Sequence, residues 1–416
     1  MLGAALALPV AGVVAGCGRR RDPARVSFWA MDVEAENAKF ILPAFTRATG
    51  LPVDLQWLAW TAAHEKLLTA YAGDTLPDVM MLARSWVSEF ALIGAIAPVP
   101  PGQTALLDDA YRPHDLRIAG RDYAVPWTLD TAVQYYRRDI LARAGYDAPP
   151  ADLDGWRQML RAVKRVQGDR YAVMMQLDWP DYLMHFADQQ PDPLLRDRQS
   201  RGNFRSPGFR AALAFYVSLF AERLAPMVSS IEAIDPPGDF MRGWVAVYNA
   251  GSWPRAELLR RRLLARERWA AAPVPGSTGA ARSTVSGAVL CVSPQAVDPV
   301  RAWSLVRYLT AVPTELFYHS ITGTLPSRPS AWSVPAMAHD PVMAVFRKAV
   351  DAGMPNRNLP EWDRIAPQVQ LVAERVVRGG LSLDAAVVEM DRRADAILAK
   401  RRWLLDTGRI DGGRLA

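Results

Sequence analysis

At 416 residues the chain exceeds a single typical core, so two domains are expected. Half of it is hydrophobic and 22% is charged, an ordinary globular composition that excludes a disordered or low-complexity chain. The formal charge is +6, but Asp and Glu are interspersed with the arginines, so a nucleic-acid partner is not expected.

Residues 1–16 are uncharged and mostly apolar, and they end in Val14-Ala15-Gly16-Cys17. The run is short for a spanning helix, which needs ~20 residues. Small residues before a Cys resemble a bacterial lipobox. That resemblance implies cleavage and lipidation at Cys17, with residues 1–24 as signal peptide and tether. The usual basic residues ahead of the apolar run are missing, and a short uncleaved anchor is the alternative. Both readings place the globular part outside the cytoplasm, periplasmic or extracytoplasmic, touching the membrane only through its anchor. The other cysteine, Cys291, sits in an apolar strand as a small hydrophobe. With two Cys and five His, no metal-site spacing appears, and no cofactor is expected.

Val26 to Ala30 reads as a first strand. A helical stripe follows at positions 38, 41, 42, 45 and 48, stopped by Gly50 and bent at Pro43. Val53, Leu55 and Trp57 alternate as a second strand; Thr61 can cap a helix running to Gly73; Leu76 to Leu82 is a third strand. This order predicts an α/β fold with parallel pairing and right-handed crossovers. Tyr123-Ala124-Val125 then stops at Pro126, a turn follows at 128–131, and Ala132 to Tyr136 is another strand. Two strands joined without a helix suggest a crossing between two lobes. A helix over 138–144 ends at Gly145.

Further on, the pattern predicts helices from Asp154 to about Val166 and from Ser206 to Arg223. It predicts strands over 171–177 and 244–249. Residues 269–276 read as a return crossing and 324–329 as a third. The chain closes with a helix from about Pro367 to Arg378 and one capped by Ser382.

The segment Tyr135-Tyr136-Arg137-Arg138-Asp139-Ile140, the Gly251-Ser252-Trp253 turn, the Ser286-Gly287-Ala288 strand entry and the Trp362 loop occur in an order that resembles the family 1 extracellular solute-binding proteins, the maltose-binding-protein type. Arg137 stands where that family usually has Asn. The resemblance spans about Val26 to Lys400. It implies a two-lobed periplasmic-binding-protein (type II) fold with a hinge. The N-terminal lobe would comprise 25–128 plus 276–325, and the C-terminal lobe 129–275 plus 326–416. It further implies the substrate-binding component of an ABC importer, a monomer whose partners are a carbohydrate, such as an oligosaccharide, and the permease subunits.

A sugar site needs directional hydrogen bonds for hydroxyls and flat aromatic faces for C–H surfaces, placed at strand ends and crossings. On that rule Trp179, Trp253 and Trp362 are stacking candidates, since each sits in a break between elements. Asp130 and Trp127 lie at the crossing, with Asp130 the leading hydroxyl acceptor. Met31 and Asp32 follow the first strand, Trp60 the second, and Arg84, Ser85 and Trp86 the third. Asp178, Ser252 and Gly287 complete the set, while Trp29 and Trp57 are expected in the core. Arg84 and Arg328 raise an alternative: a guanidinium fork suits an acidic sugar or a glycerol phosphate compound, unless it braces the hinge. A secreted carbohydrate-active enzyme using Asp32, Asp130 or Asp178 is a different class of reading. No nucleophile elbow, zinc helix or phosphate loop supports it. A lipid-anchored sensor subunit would share the same pocket.

Overall fold

In a computed structural model, which describes residues 22–111, 116–355, 357 and 359–410, two separate sheets organise the chain. The lipidation expected at Cys17 lies outside the described residues.

The first sheet has five strands in the order Val53–Leu58, Val26–Met31, Val79–Ala83, Ala288–Val292, Val125–Pro126. The first three pair in parallel, as strand-helix-strand alternation requires; the last two run antiparallel to their neighbours. Phe28, Ala30, Val79 to Leu82 and Val289 to Cys291 are fully buried beneath helices Asp32–Thr49, Trp60–Ala72 and Pro299–Leu309. The second sheet has four strands, in the order Trp269–Pro273, Val133–Arg137, Val245–Ala250, Tyr171–Met174. It is covered on both faces. One face carries helices Leu153–Gln167, Pro207–Ala221, Trp362–Val377 and Leu383–Ile397; the other carries Pro341–Ala352 around Tyr135, Trp269 and Trp332.

Local chemistry accounts for most boundaries. Asp152, Ser206 and Ser382 each accept a bond from the N–H three residues on and so start their helices. Gly50, at φ 70, closes the first helix with its N–H on Thr46 O. Three expectations need correction. Thr61 lies inside its helix, which begins at Trp60. The helix placed at Pro367 starts at Trp362, with Pro367 in its interior. Trp57 is half-exposed on the edge strand of the first sheet, not core.

Three extended segments pass side by side between the sheets; the return pass is at Ser286–Gly287 and not over 269–276, where Trp269–Pro273 is an edge strand of the second sheet. Thr128–Leu129 pairs antiparallel with Leu325–Pro326. Asp130 and Ser286 exchange both backbone hydrogen bonds, at 3.1 and 2.8 Å. Gly287, at φ +124, passes so close that a Cβ there would lie 2.2 Å from Thr128 O, so the position admits only glycine. Beneath them Arg328 is buried. It donates to the carbonyls of Thr310, Leu106 and Asp109 and to Thr310 Oγ1. Arg328 therefore braces the crossing and faces no solute, which corrects the expectation of a ligand fork.

Beside it, Glu315 is buried with Oε1 2.6 Å from Ser327 Oγ, while that hydroxyl also reaches Pro126 O at 2.8 Å. The Ser327 hydroxyl and the Arg328 N–H both donate to Glu315, the latter at 3.1 Å. Burial outweighs these donors and the Arg328 charge and pushes the Glu315 carboxyl from 4.5 up to about 8. The folded state holds a proton that the unfolded chain releases. Its stabilisation is full below 4.5 and is lost as pH rises through about 8. Melting temperature is expected to fall from about pH 5 to about pH 8, and Glu315→Gln, a neutral mimic of the acid, to flatten part of that fall. Parallel melting curves for the two proteins across the range would remove the buried proton.

Candidate functional site

A cleft of about 520 Å³ opens beside the crossing segments. Its wall is built mainly from the strand ends of the second sheet. The strand Val245–Ala250 runs out at Gly251, where any Cβ would come within 2.2 Å of the Asp130 carboxylate. The chain then turns at buried Ser252 and enters the helix Trp253–Arg261. This turn leaves Trp253 42% exposed at the cleft, edge-on to Tyr248 at 6.5 Å.

Asp130 lies at the centre. Its Oδ1 accepts from the N–H groups of Thr131 at 3.0 Å and Ser252 at 2.9 Å, tying the crossing to the Trp253 turn. Burial pushes its carboxyl up to about 6, while those two donors pull the other way. Opposite, Trp179 is half-exposed and donates from Nε1 to Asp181 Oδ2 at 3.0 Å. Asp181 opens onto the cleft from the first turn of helix Pro180–Ala187, and the surrounding protein raises its carboxyl. Trp362 closes the floor, with the Arg357 guanidinium 4.3 Å over its ring and paired to Asp188. His185 is held by Pro275 O at 3.1 Å, and burial pushes it below 6.5, so it lines the cleft as a neutral ring.

The first lobe reaches the cleft through Ser85, whose Oγ donates to Asp363 Oδ2 at 2.7 Å. Behind it the helix Trp60–Ala72 has no local cap. Asp32 supplies one from the first strand's end, accepting from Trp60 N at 3.2 Å. The Trp60 indole hydrogen-bonds Glu34 and meets Trp86 edge-on at 5.6 Å.

The structure thus brings Ser85, Asp130, Trp179, Trp253 and Trp362 to one cavity. The other ten expected residues do not line it. Met31 is fully buried; Asp32 serves as a helix cap, and Trp60 and Trp86 pack on each other. Arg84 is buried beside Gly287, whose carbonyl takes the Arg84 N–H. Asp178 spends its oxygens on Ser230 N and Oγ. Ser252 contributes its N–H from a buried position, and Gly287 and Arg328 belong to the crossing. Trp127 is a core residue, 1% exposed and stacked on Tyr318 at 5.1 Å. Sequence reasoning missed Thr131, Asp181, Asn249, Arg357 and Asp363. Position gave two signals. Asn249 precedes the Gly-Ser-Trp turn at its strand end, and Asp181 follows the Trp-Pro break.

Among the described residues no three His, Cys, Asp or Glu side chains are grouped to hold a metal ion, and no helix is long and apolar enough to cross a membrane.

Comparison with known proteins places this architecture. Residues 41–345 match the model of the bacterial extracellular solute-binding protein family. Among solved structures, the sugar-binding protein MalE from the phytopathogen Xanthomonas citri superposes with a TM-score of 0.83 at 38% identity, over 92% of this chain and 99% of that one. The GacH receptor of Streptomyces glaucescens shares the fold with a TM-score of 0.80 at 22% identity, over 90% and 98%. A protein of Deinococcus radiodurans named "Probable ABC transporter-binding protein" is 26% identical over 292 residues, 64% of this chain and 67% of its own length.

The two kinds of tryptophan differ in what they stabilise. Trp127→Ala is expected to cost about 3–5 kcal/mol in chemical denaturation, and Trp253→Ala less than about 1 kcal/mol. Equal losses would contradict the division into core and cleft.

Proposed function

The chain belongs to the bacterial extracellular solute-binding proteins, and from that premise we propose that it is the substrate-binding component of an ABC importer, holding a carbohydrate between two lobes. The observation that carries this is the cleft itself. It places the exposed rings of Trp179 and Trp253, above buried Trp362, around polar side chains from the crossing and from both sheets' loops. Ring faces suit sugar C–H surfaces, and the carboxylates and amides suit hydroxyls. The cavity of about 520 Å³ falls in the usual range for small-molecule sites and has room for a short oligosaccharide. The likeness to a 38% identical sugar-binding protein supports the same ligand class.

The lobes are residues 25–128 with 276–325, and 129–275 with 326–416. Each crossing segment acts as a hinge strand between them. Contacts that a solute makes with both lobes exist only in the closed form, so binding shifts the equilibrium toward closure. The chain performs no chemistry on its ligand in this reading. The mature protein is a monomer outside the cytoplasm, tethered through lipid at Cys17, and it presents the solute to membrane permease subunits. The acidic-ligand alternative rested on Arg84 and Arg328, and neither lines the cleft. A glycosidase needs a positioned acid and base pair. Asp32 and Asp178, two of its three candidate carboxylates, are occupied as backbone acceptors away from the cavity.

A saccharide panel in a thermal-shift assay tests the reading. A bound ligand at a hundred-fold excess over Kd stabilises the fold by about 2.7 kcal/mol, visible as a raised melting point. Trp253→Ala and Trp179→Ala should each weaken binding about ten-fold by calorimetry. Chromatography should recover the ligand unchanged. No shift with any saccharide, or release of a hydrolysis product, would overturn the proposal.

A further inference from the structure

The balance of charge in the cleft says more about the solute. Four carboxylates line it, from Asp130, Asp181, Asp188 and Asp363, against the guanidiniums of Arg282 and Arg357. Arg357 is spent: it pairs with Asp188 and lies on Trp362. Arg282 is exposed and donates from Nε to Ala352 O at 2.8 Å. Asp181 feels the negative charges of Asp130, Asp363 and Asp188 and the opposing charge of Arg357. Asp130, Asp181 and Asp363 therefore line one cleft whose nearby guanidinium, that of Arg357, is already paired with Asp188. Like charges facing one cleft disfavour a further anion there and favour a cation.

A second and independent feature lies in the same wall. Asn249 is 5% exposed and Thr131 is 2% exposed, and both line the cleft. Neither Asn249 Oδ1 nor Thr131 Oγ1 has a hydrogen-bond partner among the described residues. A buried polar atom left unsatisfied is expensive, so positions of this kind mark where a ligand supplies the missing group. The amide oxygen can only accept. Together with the three carboxylates it makes the cleft rich in acceptors, so a matching solute must be rich in donors. An ammonium group offers three donors and a positive charge; a uronate or phosphate offers further acceptors and a fourth negative charge.

We propose, resting on the carbohydrate reading above, that the preferred solute is a saccharide bearing a protonated amine, its ammonium group seated against Asp181 between Asp130 and Asp363 and its hydroxyls engaging Asn249 and Thr131. This reverses the acidic-ligand expectation drawn from Arg84 and Arg328.

Matched disaccharides built from glucose, glucosamine and glucuronic acid units, titrated calorimetrically at about pH 7 into the full chain, separate the possibilities. The expected order is amine first, by about ten-fold over the neutral sugar, and uronate weakest. Added salt should weaken only the amine. Asp181→Asn should reduce the amine to parity with the neutral sugar, so that the ratio of the two affinities, and not either affinity alone, is the readout. Asp363→Asn, at the exposed rim, should narrow the preference in the same direction and guards against misfolding of the first variant. A neutral sugar that binds as tightly as the amine overturns this inference and leaves the carbohydrate reading standing, as does an unchanged amine preference in both variants. Failure of all three sugars to bind overturns both.

Discussion

Everything in this molecule depends on how three extended segments satisfy one another's backbone as they pass between the sheets. Polar main-chain groups cannot be left unpaired in a protein interior. Here the reciprocal Asp130–Ser286 bonds and the pairing of 128–129 with 325–326 meet that demand with only a few residues per pass. The economy has two consequences. It brings the strands close enough that Gly287 is obligatory, and it places Asp130 where its side chain can also hold the Trp253 turn. The hinge and the ligand wall therefore share a residue. Whatever perturbs Asp130 must act on the geometry of crossing and site at once.

Buried charge is handled in opposite ways on the two sides of this crossing. Below it, Arg328 is saturated by three carbonyls and a hydroxyl, and burial raises the Glu315 carboxyl within the same network. That arrangement is rigid and complete. On the cleft side, Asn249 and Thr131 keep atoms with no hydrogen-bond partner among the described residues, and the lining carboxylates outnumber the lining guanidiniums. A saturated network stabilises the fold, and an unsaturated one stores specificity for a partner that arrives later.

The architecture was largely legible in the sequence because it rests on periodicity. Alternating strands, helical stripes and cap residues such as Ser206 and Ser382 act locally, and their positions agree with the structure to within a few residues. Two of the three crossings were readable for the same reason, since Pro126 and Pro326 punctuate them; the return crossing, expected over 269–276, lies at Ser286 and carries no such mark. The site was legible only in part. Trp179 and Trp253 announce themselves by sitting in breaks. Trp127 sits at a crossing too, yet stacks on Tyr318 in the core, because strand register decides which way a ring faces. Arg328 looked like a ligand fork because a guanidinium suits carbonyls as well as carboxylates, and only the fold shows which it meets. Asn249 and Thr131 escaped notice for the converse reason. They are ordinary polar residues until burial removes their water.

The placement of strand Ala288–Val292 also bears on how the chain is made. It lies between Val79–Ala83 and Val125–Pro126, so the first sheet stays open until nearly 300 residues have left the ribosome. At ~5–20 residues per second, the gap between residues 126 and 288 lasts roughly ten to thirty seconds. Throughout that interval the edge of a fully apolar strand, Val79 to Leu82, is unpaired and able to template contacts with neighbouring nascent chains. A late central strand thus leaves an apolar edge open to unwanted strand pairing during folding, a hazard that the finished molecule no longer displays.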